Sequence, residues 1–232
     1  MQLVSLESGM LFSDSIRRLF LVDSATRYVN EWRILSGFAI SVPAALMKSR
    51  TARSLPEGFH YQPELISSAD EEALLSCVRS LPFRDFEFHG YTGKRRVVSF
   101  GWHYDFSGRR LMKADDIPDY LLSLREKAAK FGNMQPEEFE HVLITEYGPG
   151  AGIGWHRDKA VFGEVIGISL LSPCVFRMRR EITKKKWERV NLILEPRSAY
   201  FLSGPARYEW EHSIPQMEAL RYSITFRTLR EG

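Results

Sequence analysis

The sequence has little cysteine and no long apolar segment. Two cysteines, Cys77 and Cys174, occur among its 232 residues, and both lie in apolar surroundings without a second thiol at metal-ligand spacing. This excludes a disulfide framework and indicates reduced thiols in a reducing compartment. No uninterrupted apolar run reaches the ~18 residues that a membrane-spanning helix needs. We therefore expect a protein of the cytoplasm, or of the nucleus in a eukaryote, with no membrane partner.

A targeting segment and a strong net charge are also missing. The first 50 residues lack a basic start followed by an apolar block, and their acidic residues argue against a transit peptide. The formal charge of +3 permits a polyanionic partner without requiring one. The length suits one domain with a buried core, and we expect a monomer.

Two parts of the chain differ in pattern. In residues 1–55 the apolar positions follow no sustained period, which predicts a poorly ordered N-terminal extension. Regular patterns begin after it, so residues 56–232 are predicted to form the functional domain.

Two helices are predicted at the start of this domain. The first covers about residues 66–80, where Ser68 and Glu71 fit a capping box ahead of an apolar run at helical period. The second covers the segment DIPDYLLSLREKAAKF, with Pro118 near its start and Gly132 at its end.

Most of the remaining chain has the pattern of short strands. The segment FRDFEFHGYTGKRRVVSFGWHYDF alternates aromatic and polar residues around two glycines, as a hairpin does. After Pro136, Gly and Pro separate short apolar runs at roughly 8 to 12 residue spacing, which is typical of a sandwich or barrel. The predicted fold class is α+β, mainly β, with two N-terminal helices against a β core.

Three residues suggest a metal site. His156 and Asp158 are two apart and would project from one face of a strand, although this pattern alone is also common at a solvated strand end. His212, which we place after a strand and before a proline turn, would return to this pair across a closed sheet. Two histidines and a carboxylate form the facial triad of non-haem Fe(II) oxygenases. Zinc accepts the same ligands and is the alternative.

The segment RYSITFR adds a reason to prefer iron. On a strand, Arg221, Ser223, Thr225 and Arg227 share one face. The two arginines are six residues, or about 20 Å, apart, so they would serve opposite ends of a small dicarboxylate rather than one carboxylate. The alternative is two surface arginines on an edge strand.

The segments LITEYGPGAGIGWHRD, FLSGPARYEWEHSI and RYSITFR, in this order, resemble the AlkB family of Fe(II)- and 2-oxoglutarate-dependent dioxygenases. The resemblance covers about residues 56–230 and is strongest from Leu143 onward. It implies a double-stranded β-helix, or jelly-roll, core at about 137–230. It also implies that the segment at about 84–105 is a nucleotide-recognition lid.

The resemblance assigns two sets of site residues. It implies that the iron ligands, which are also the catalytic residues, are His156, Asp158 and His212. It implies that the 2-oxoglutarate site consists of Thr145, Tyr147, Arg221, Ser223 and Arg227. Within this site, Tyr147 and Arg221 would hold the distal carboxylate, and Arg227 would lie nearer the metal.

Three positions depart from the family pattern. Thr145 and Ser223 stand where the family has asparagines, but both keep a hydrogen-bonding side chain. Ala160 stands where repair members of the family have an acid that accepts from the exocyclic amine of a methylated base. The reaction is therefore better specified than the substrate.

The reaction implied by the resemblance uses Fe(II), 2-oxoglutarate and O2. Decarboxylation of 2-oxoglutarate to succinate accompanies hydroxylation of a methyl group, and an N-hydroxymethyl base then releases formaldehyde. Aromatic residues interleaved with arginines suit an extruded base and its phosphates. The candidate substrate-binding residues are His89, Tyr91, Arg95, Arg96, Trp102 and Arg177.

Three functions are considered, in this order. The first is oxidative demethylation of alkylated nucleic acid bases, in DNA repair or RNA demethylation. The second is a related oxygenase acting on a protein or a small molecule, which Ala160 favours. The third is a nucleic-acid-binding module without catalysis, and the intact triad and both arginines count against it.

Overall fold

The computed structural model describes residues 54–88, 91–106 and 108–230. Nearly all of the predicted N-terminal extension lies outside these ranges. Among the described residues, no helix is both long and apolar enough to cross a membrane. The described chain forms thirteen strands: β1 (Phe59–Gln62), β2 (Arg84–Phe88), β3 (Tyr91–Phe100), β4 (Trp102–Asp105), β5 (Arg110–Lys113), β6 (His141–Tyr147), β7 (Ile153–His156), β8 (Phe162–Leu170), β9 (Cys174–Thr183), β10 (Lys186–Leu194), β11 (Ala199–Leu202), β12 (Glu211–Ile214) and β13 (Arg221–Leu229).

The first predicted helix is α1 (Ser68–Val78), and its capping box lies one residue before the predicted one. The hydroxyl of Ser67 accepts from the backbone N–H of Asp70 at 3.1 Å, and the Asp70 carboxylate accepts from the N–H of Ser67 at 3.1 Å. The prediction of Ser68 and Glu71 was wrong because Glu71 is buried and used elsewhere. Its carboxylate accepts from the N–H of Leu171 at 2.8 Å and pairs with Arg197 at 3.1 Å.

The second predicted helix begins as a 3-10 turn (Asp119–Leu121) and continues as α2 (Leu122–Gly132). Its left-handed cap is Asn133, with φ 53°, rather than the predicted Gly132. Asparagine tolerates this conformation better than most residues, so it can end a helix as glycine does. Gly132 is the last helical residue, and a side chain there would meet Ile166 of β8 at 2.9 Å. The glycine therefore allows close packing of the helix on the sheet.

The strands form two antiparallel sheets and one small ribbon. The larger sheet has the order β1-β11-β8-β13-β6-β3-β2, and the smaller sheet has the order β10-β9-β12-β7. Strands β4 and β5 pair with each other beside them. This arrangement agrees with the predicted jelly-roll core, and the hairpin β2–β3 agrees with the pattern of the predicted lid.

The two faces of the larger sheet pack against different partners. On one face, Ile144, Ile168 and Ile224 lie in cross-strand register and join a cluster with Val78 of α1 and Leu124 of α2. Each such buried aliphatic side chain contributes roughly 1.5–3 kcal/mol. The two helices therefore buttress the β core, as predicted.

The other face of the larger sheet meets the smaller sheet. Val165 and Tyr200 pack there against Phe176 and Met178 of β9. Tyr200 lies directly over Gly167 of β8, where any side chain would collide with the tyrosine ring. The polar side chains of the predicted site project into the space between the sheets.

Candidate active site

The three predicted metal ligands come together. His156 is the last residue of β7, and it lies opposite His212 of β12 in the antiparallel register. One ligand atom from each of His156, Asp158 and His212 lies within 4.8 Å of the others. Asp158 is in the loop after β7, so it reaches the pair by a turn rather than by strand alternation. His212 lies inside a strand and follows α3 (Gly204–Tyr208), not a strand as predicted.

The charges of the triad suit a divalent cation. Burial lowers the pKa of His212 to about 3 and also lowers the pKa of His156. Burial alone would raise the pKa of Asp158, but the positive charge of Arg227 and the neighbouring histidines outweigh it and hold this pKa low. At neutral pH the site thus offers two neutral imidazoles and one carboxylate, which are the protonation states that metal binding requires.

Arg207 of α3 holds the loop that carries Asp158. Its guanidinium donates to the backbone carbonyls of Gly163 at 2.6 Å, Phe162 at 2.7 Å and Lys159 at 2.9 Å. The residue is 3% exposed, so these bonds satisfy a cation that burial would otherwise destabilise. Sequence reasoning missed Arg207, because nothing local connects it to a loop more than 40 residues earlier.

The predicted 2-oxoglutarate residues share the inner face of the larger sheet. Arg221 lies opposite Tyr147, and Ser223 lies opposite Thr145, across the β13–β6 ladder. The two departures from the family pattern are therefore neighbours, with Ser169 of β8 on the other side of Ser223. Together they form a row of hydroxyl groups.

Arg221 has the environment of an anion-binding residue. It is 1% exposed, its Nε donates to Ser169 Oγ at 3.1 Å, and its guanidinium lies 5.2 Å from the Tyr147 ring centre. Its Nη1 is buried without a hydrogen-bond partner among the described residues. A buried guanidinium with an unused donor requires an anion. A carboxylate of the co-substrate fits this position, and the triad fits Fe(II).

A cavity of about 1030 Å³ opens onto the triad. Phe86, Tyr104 and Phe106 line one side, with the ring centres of Tyr104 and Phe106 5.0 Å apart and those of Phe86 and Phe106 5.3 Å apart. Lys159 lies over two of these rings, with its Nζ 5.6 Å from the centre of Tyr104 and 5.3 Å from the centre of Phe106. This wall of the cavity thus combines aromatic rings with positive charge.

One of the predicted substrate-binding residues lines this cavity. Arg95 of β3 does so, and its guanidinium lies 3.7 Å from the ring centre of Phe86. His89 lies outside the described residues, and Tyr91 is described only as the first residue of β3.

The other three predicted substrate-binding residues lie outside the cavity lining. Arg96 projects to the opposite side of β3 and pairs with Glu146 at 2.6 Å. Trp102 packs under Lys113, and Arg177 donates to Ser213 Oγ at 3.0 Å. Adjacent strand residues point to opposite faces, so Arg95 and Arg96 could not both face one cavity.

Several cavity residues were not predicted individually. Phe86, Tyr104 and Phe106 belong to the segment FRDFEFHGYTGKRRVVSFGWHYDF, but its aromatic residues were too many to rank by sequence. His141, at the start of β6, is 2% exposed and packs on Phe162 with ring centres 4.6 Å apart. No sequence pattern marks it, because its environment arises from strands far apart in the chain.

Comparison with known proteins agrees with this site. The model of the 2OG-Fe(II) oxygenase superfamily matches residues 58–227. This chain belongs to that superfamily and to its AlkB family. Fe(II), 2-oxoglutarate and O2, the predicted cofactor and co-substrates, are those of the superfamily, and the predicted resemblance is confirmed.

Two relatives and one solved structure illustrate the relationship. The bovine (Bos taurus) mitochondrial alpha-ketoglutarate-dependent dioxygenase alkB homolog 7 is 35% identical over 187 residues, covering 74% of this chain and 78% of the relative. The Arabidopsis thaliana alkylated DNA repair protein ALKBH8 homolog is 27% identical over 198 residues, covering 75% of this chain. This AlkB-family chain covers 54% of that relative's length. The structure of OsALKBH1 shares the fold, with a TM-score of 0.60 at 16% identity, over 76% of this chain and 99% of that one.

Proposed function

We propose that this chain is an Fe(II)- and 2-oxoglutarate-dependent dioxygenase that demethylates alkylated nucleic acid bases by oxidation. The observation that carries the proposal is the cavity wall of Phe86, Tyr104, Phe106 and Arg95 beside the triad. Aromatic rings stack on an extruded base, and the positive charge of this wall suits a polyanionic strand. The name of the Arabidopsis relative, an alkylated DNA repair protein, supports the same class of substrate.

We assign the residues of the site the following roles in binding Fe(II) and 2-oxoglutarate. His156, Asp158 and His212 would hold Fe(II), and Arg227 would keep the Asp158 carboxylate ionised and oriented. Arg221 and Tyr147 would bind the distal carboxylate of 2-oxoglutarate, with the hydroxyls of Thr145 and Ser223 alongside. We also propose that residues 56–232 form the catalytic domain, with the segment at 84–105 as its substrate-facing lid.

Bound Fe(II), together with 2-oxoglutarate and O2, supplies the oxidant that converts an N-methyl group to N-hydroxymethyl, with succinate and CO2 as co-products. The hydroxymethyl base then loses formaldehyde, and its nitrogen returns to the unmethylated state. The aromatic wall would hold the base so that its methyl group faces the triad. It would also keep water away from the reacting carbon.

One observation favours a second candidate function. Ala160 is exposed and follows Lys159, so the position after the triad loop offers no acid to accept from an exocyclic amine. An oxygenase that acts on a protein or a small molecule would have no need of such an acid.

The test begins with anaerobic loading of the protein with Fe(II) and 2-oxoglutarate. O2 and methylated or unmethylated oligonucleotides are then added, and succinate, formaldehyde and the repaired base are measured. With methylated oligonucleotides we expect all three products in equal amounts, and with unmethylated oligonucleotides we expect none of them in these amounts. Succinate without repaired base would exclude nucleic acid demethylation but leave the oxygenase chemistry intact.

The triad is tested in the same assay with His212→Ala. This variant should lose both turnover and Mn(II) binding, whereas His60→Ala, at an exposed histidine outside the site, should keep them. Full turnover by His212→Ala would exclude the triad. Circular dichroism of both variants checks that the fold is retained.

A further inference from the structure

Arg95 is a cation that lines the active-site cavity. Its guanidinium stacks on Phe86 at 3.7 Å, which fixes its position through a cation–π contact. No acid among the described residues forms an ion pair with it, and no acid is among the charges that act on its pKa. Burial and the nearby charge of Arg227 both lower this pKa. The cavity therefore holds a half-buried positive charge that no acid in residues 54–88, 91–106 or 108–230 neutralises.

The position of Arg95 is close to the reacting centre. Arg95 and the three triad residues line the same cavity, and the charges of Tyr147 and Arg227 both act on the pKa of Arg95. Val97, two residues further along β3, lies opposite Thr145. The face of β3 that carries Arg95 and Val97 is therefore the face on which Thr145 and the other hydroxyl groups of the proposed 2-oxoglutarate site lie. A base held in this cavity with its methyl group at the triad would present its nearest ring substituents to Arg95.

Among the described residues, the other charged groups that line the cavity do not neutralise Arg95. Asp158 is occupied by Arg227, and Arg221 lies beside Tyr147, where the co-substrate would neutralise it. Fe(II) and 2-oxoglutarate carry opposite charges of equal size, so their binding together leaves the net charge of the cavity unchanged. Of the remaining carboxylates that line the cavity, three are exposed and Asp105 lies opposite Arg110 in the β4–β5 ribbon; the exposed three are Asp85, Glu87 and Asp115.

We propose that Arg95 makes this site select methylated bases that are uncharged and carry carbonyl groups beside the methylated nitrogen, as 3-methyluracil does. This inference rests on the proposed function. A guanidinium has N–H donors only, so it binds a carbonyl oxygen and cannot accept from an amino group. It also repels a base that is itself a cation.

The two classes of methylated base differ in these respects. Methylation of uracil at N3 leaves a neutral ring with a carbonyl on each side of the methyl group. Methylation of adenine at N1, or of cytosine at N3, creates a cation at neutral pH with an exocyclic nitrogen beside the methyl group. The first class matches the donors and the charge of Arg95, and the second class opposes both.

The experiment compares three oligonucleotides of the same sequence, which contain 3-methyluridine, 1-methyladenosine or 3-methylcytidine at one position. The holoenzyme should show a kcat/KM about tenfold or more higher for 3-methyluridine, the size expected for one charged or bidentate contact. Arg95→Glu should reduce or reverse this preference. Arg95→Lys should keep discrimination against the cationic bases, because it keeps the charge.

The matched control is Lys94→Ala, which removes a neighbouring exposed cation from the other face of β3 and should leave the preference unchanged. Binding of the three oligonucleotides to the Mn(II) protein with an unreactive 2-oxoglutarate analogue, measured by fluorescence anisotropy, gives a readout independent of turnover. Circular dichroism confirms that each variant is folded.

Three outcomes would overturn the inference. They are a preference of the native protein for cationic bases, an unchanged preference in Arg95→Glu, and a rise in the KM for 2-oxoglutarate as the main effect of Arg95→Lys. If none of the methylated oligonucleotides is oxidised while 2-oxoglutarate is still consumed, the proposed function itself fails, and the inference fails with it. Oxidation with the opposite preference overturns the inference alone.

Discussion

The guanidinium of Arg227 donates from Nη2 to Oδ1 of Asp158 at 3.0 Å, and both side chains are 10% exposed. The second oxygen of the carboxylate, Oδ2, lies 4.0 Å from Nε2 of His212. One oxygen of Asp158 thus accepts from Arg227, and the other faces the ring nitrogen of His212. This arrangement orients the carboxylate before any metal binds.

Arg227→Met should weaken metal binding because it releases Asp158 and removes the charge that keeps its pKa low. Loss of a group that orients a ligand typically costs 10- to 100-fold in metal affinity, and we expect a loss of about this size. Anaerobic titration with Mn(II) measures it. Arg230→Met, at the exposed residue after β13, is the control, and an affinity of Arg227→Met within twofold of this control would contradict the prediction.

Arg221→Met should raise the KM for 2-oxoglutarate with a smaller effect on kcat. A hydrogen bond to a charged group contributes about 1.5–3 kcal/mol, so removal of the guanidinium should raise KM about 10- to 100-fold. The measurement is succinate formation at varied 2-oxoglutarate with saturating Fe(II). An unchanged KM would show that the co-substrate does not use Arg221.

Glu71→Gln should destabilise the fold without touching the site. Glu71 joins α1 to the turn after β8 through the N–H of Leu171, and it pairs with Arg197. Replacing this carboxylate should lower the free energy of unfolding by about 1–3 kcal/mol. Urea unfolding measures the change, and Glu72→Gln, at the exposed neighbouring glutamate, should differ little from the native protein. Equal stability of the two variants would be inconsistent with this role.

His141→Phe should reduce the sensitivity of the metal-free protein to acid. Burial, together with the charge of Arg227, lowers the pKa of His141 well below its ordinary value. Below about pH 6.5 the unfolded chain therefore binds a proton that the folded chain does not, and stability falls as pH falls. One such histidine contributes at most about 1.4 kcal/mol per pH unit.

The measurement is urea unfolding between pH 7 and pH 5 in the presence of a chelator. The curve of stability against pH should be shallower for His141→Phe than for the native protein. The exposed His60, replaced by Phe, provides the control. Parallel curves for the native protein and His141→Phe would show that His141 does not contribute to the acid sensitivity.

Local pattern predicted much of the fold. The segment RYSITFR lies within β13, and its polar face is the one that Arg221, Ser223, Thr225 and Arg227 were expected to share. Alternation along a strand is a property of the backbone, so it can be read without knowledge of the partners. The helical period is likewise a property of the backbone, so both helices were found from the sequence. Their caps differ from the predicted ones by one residue, at Ser67 and at Asn133.

The sequence by itself determined the family, the three candidate ligands and the polar face of β13, because short motifs specify residue types at fixed spacing. The tertiary structure alone decided which of Arg95 and Arg96 enters the cavity, since alternation cannot say which face is inside. It also decided that Arg207 holds the Asp158 loop and that Thr145 faces Ser223. These relationships depend on pairing between strands and helices far apart in the chain, and no local pattern records that pairing.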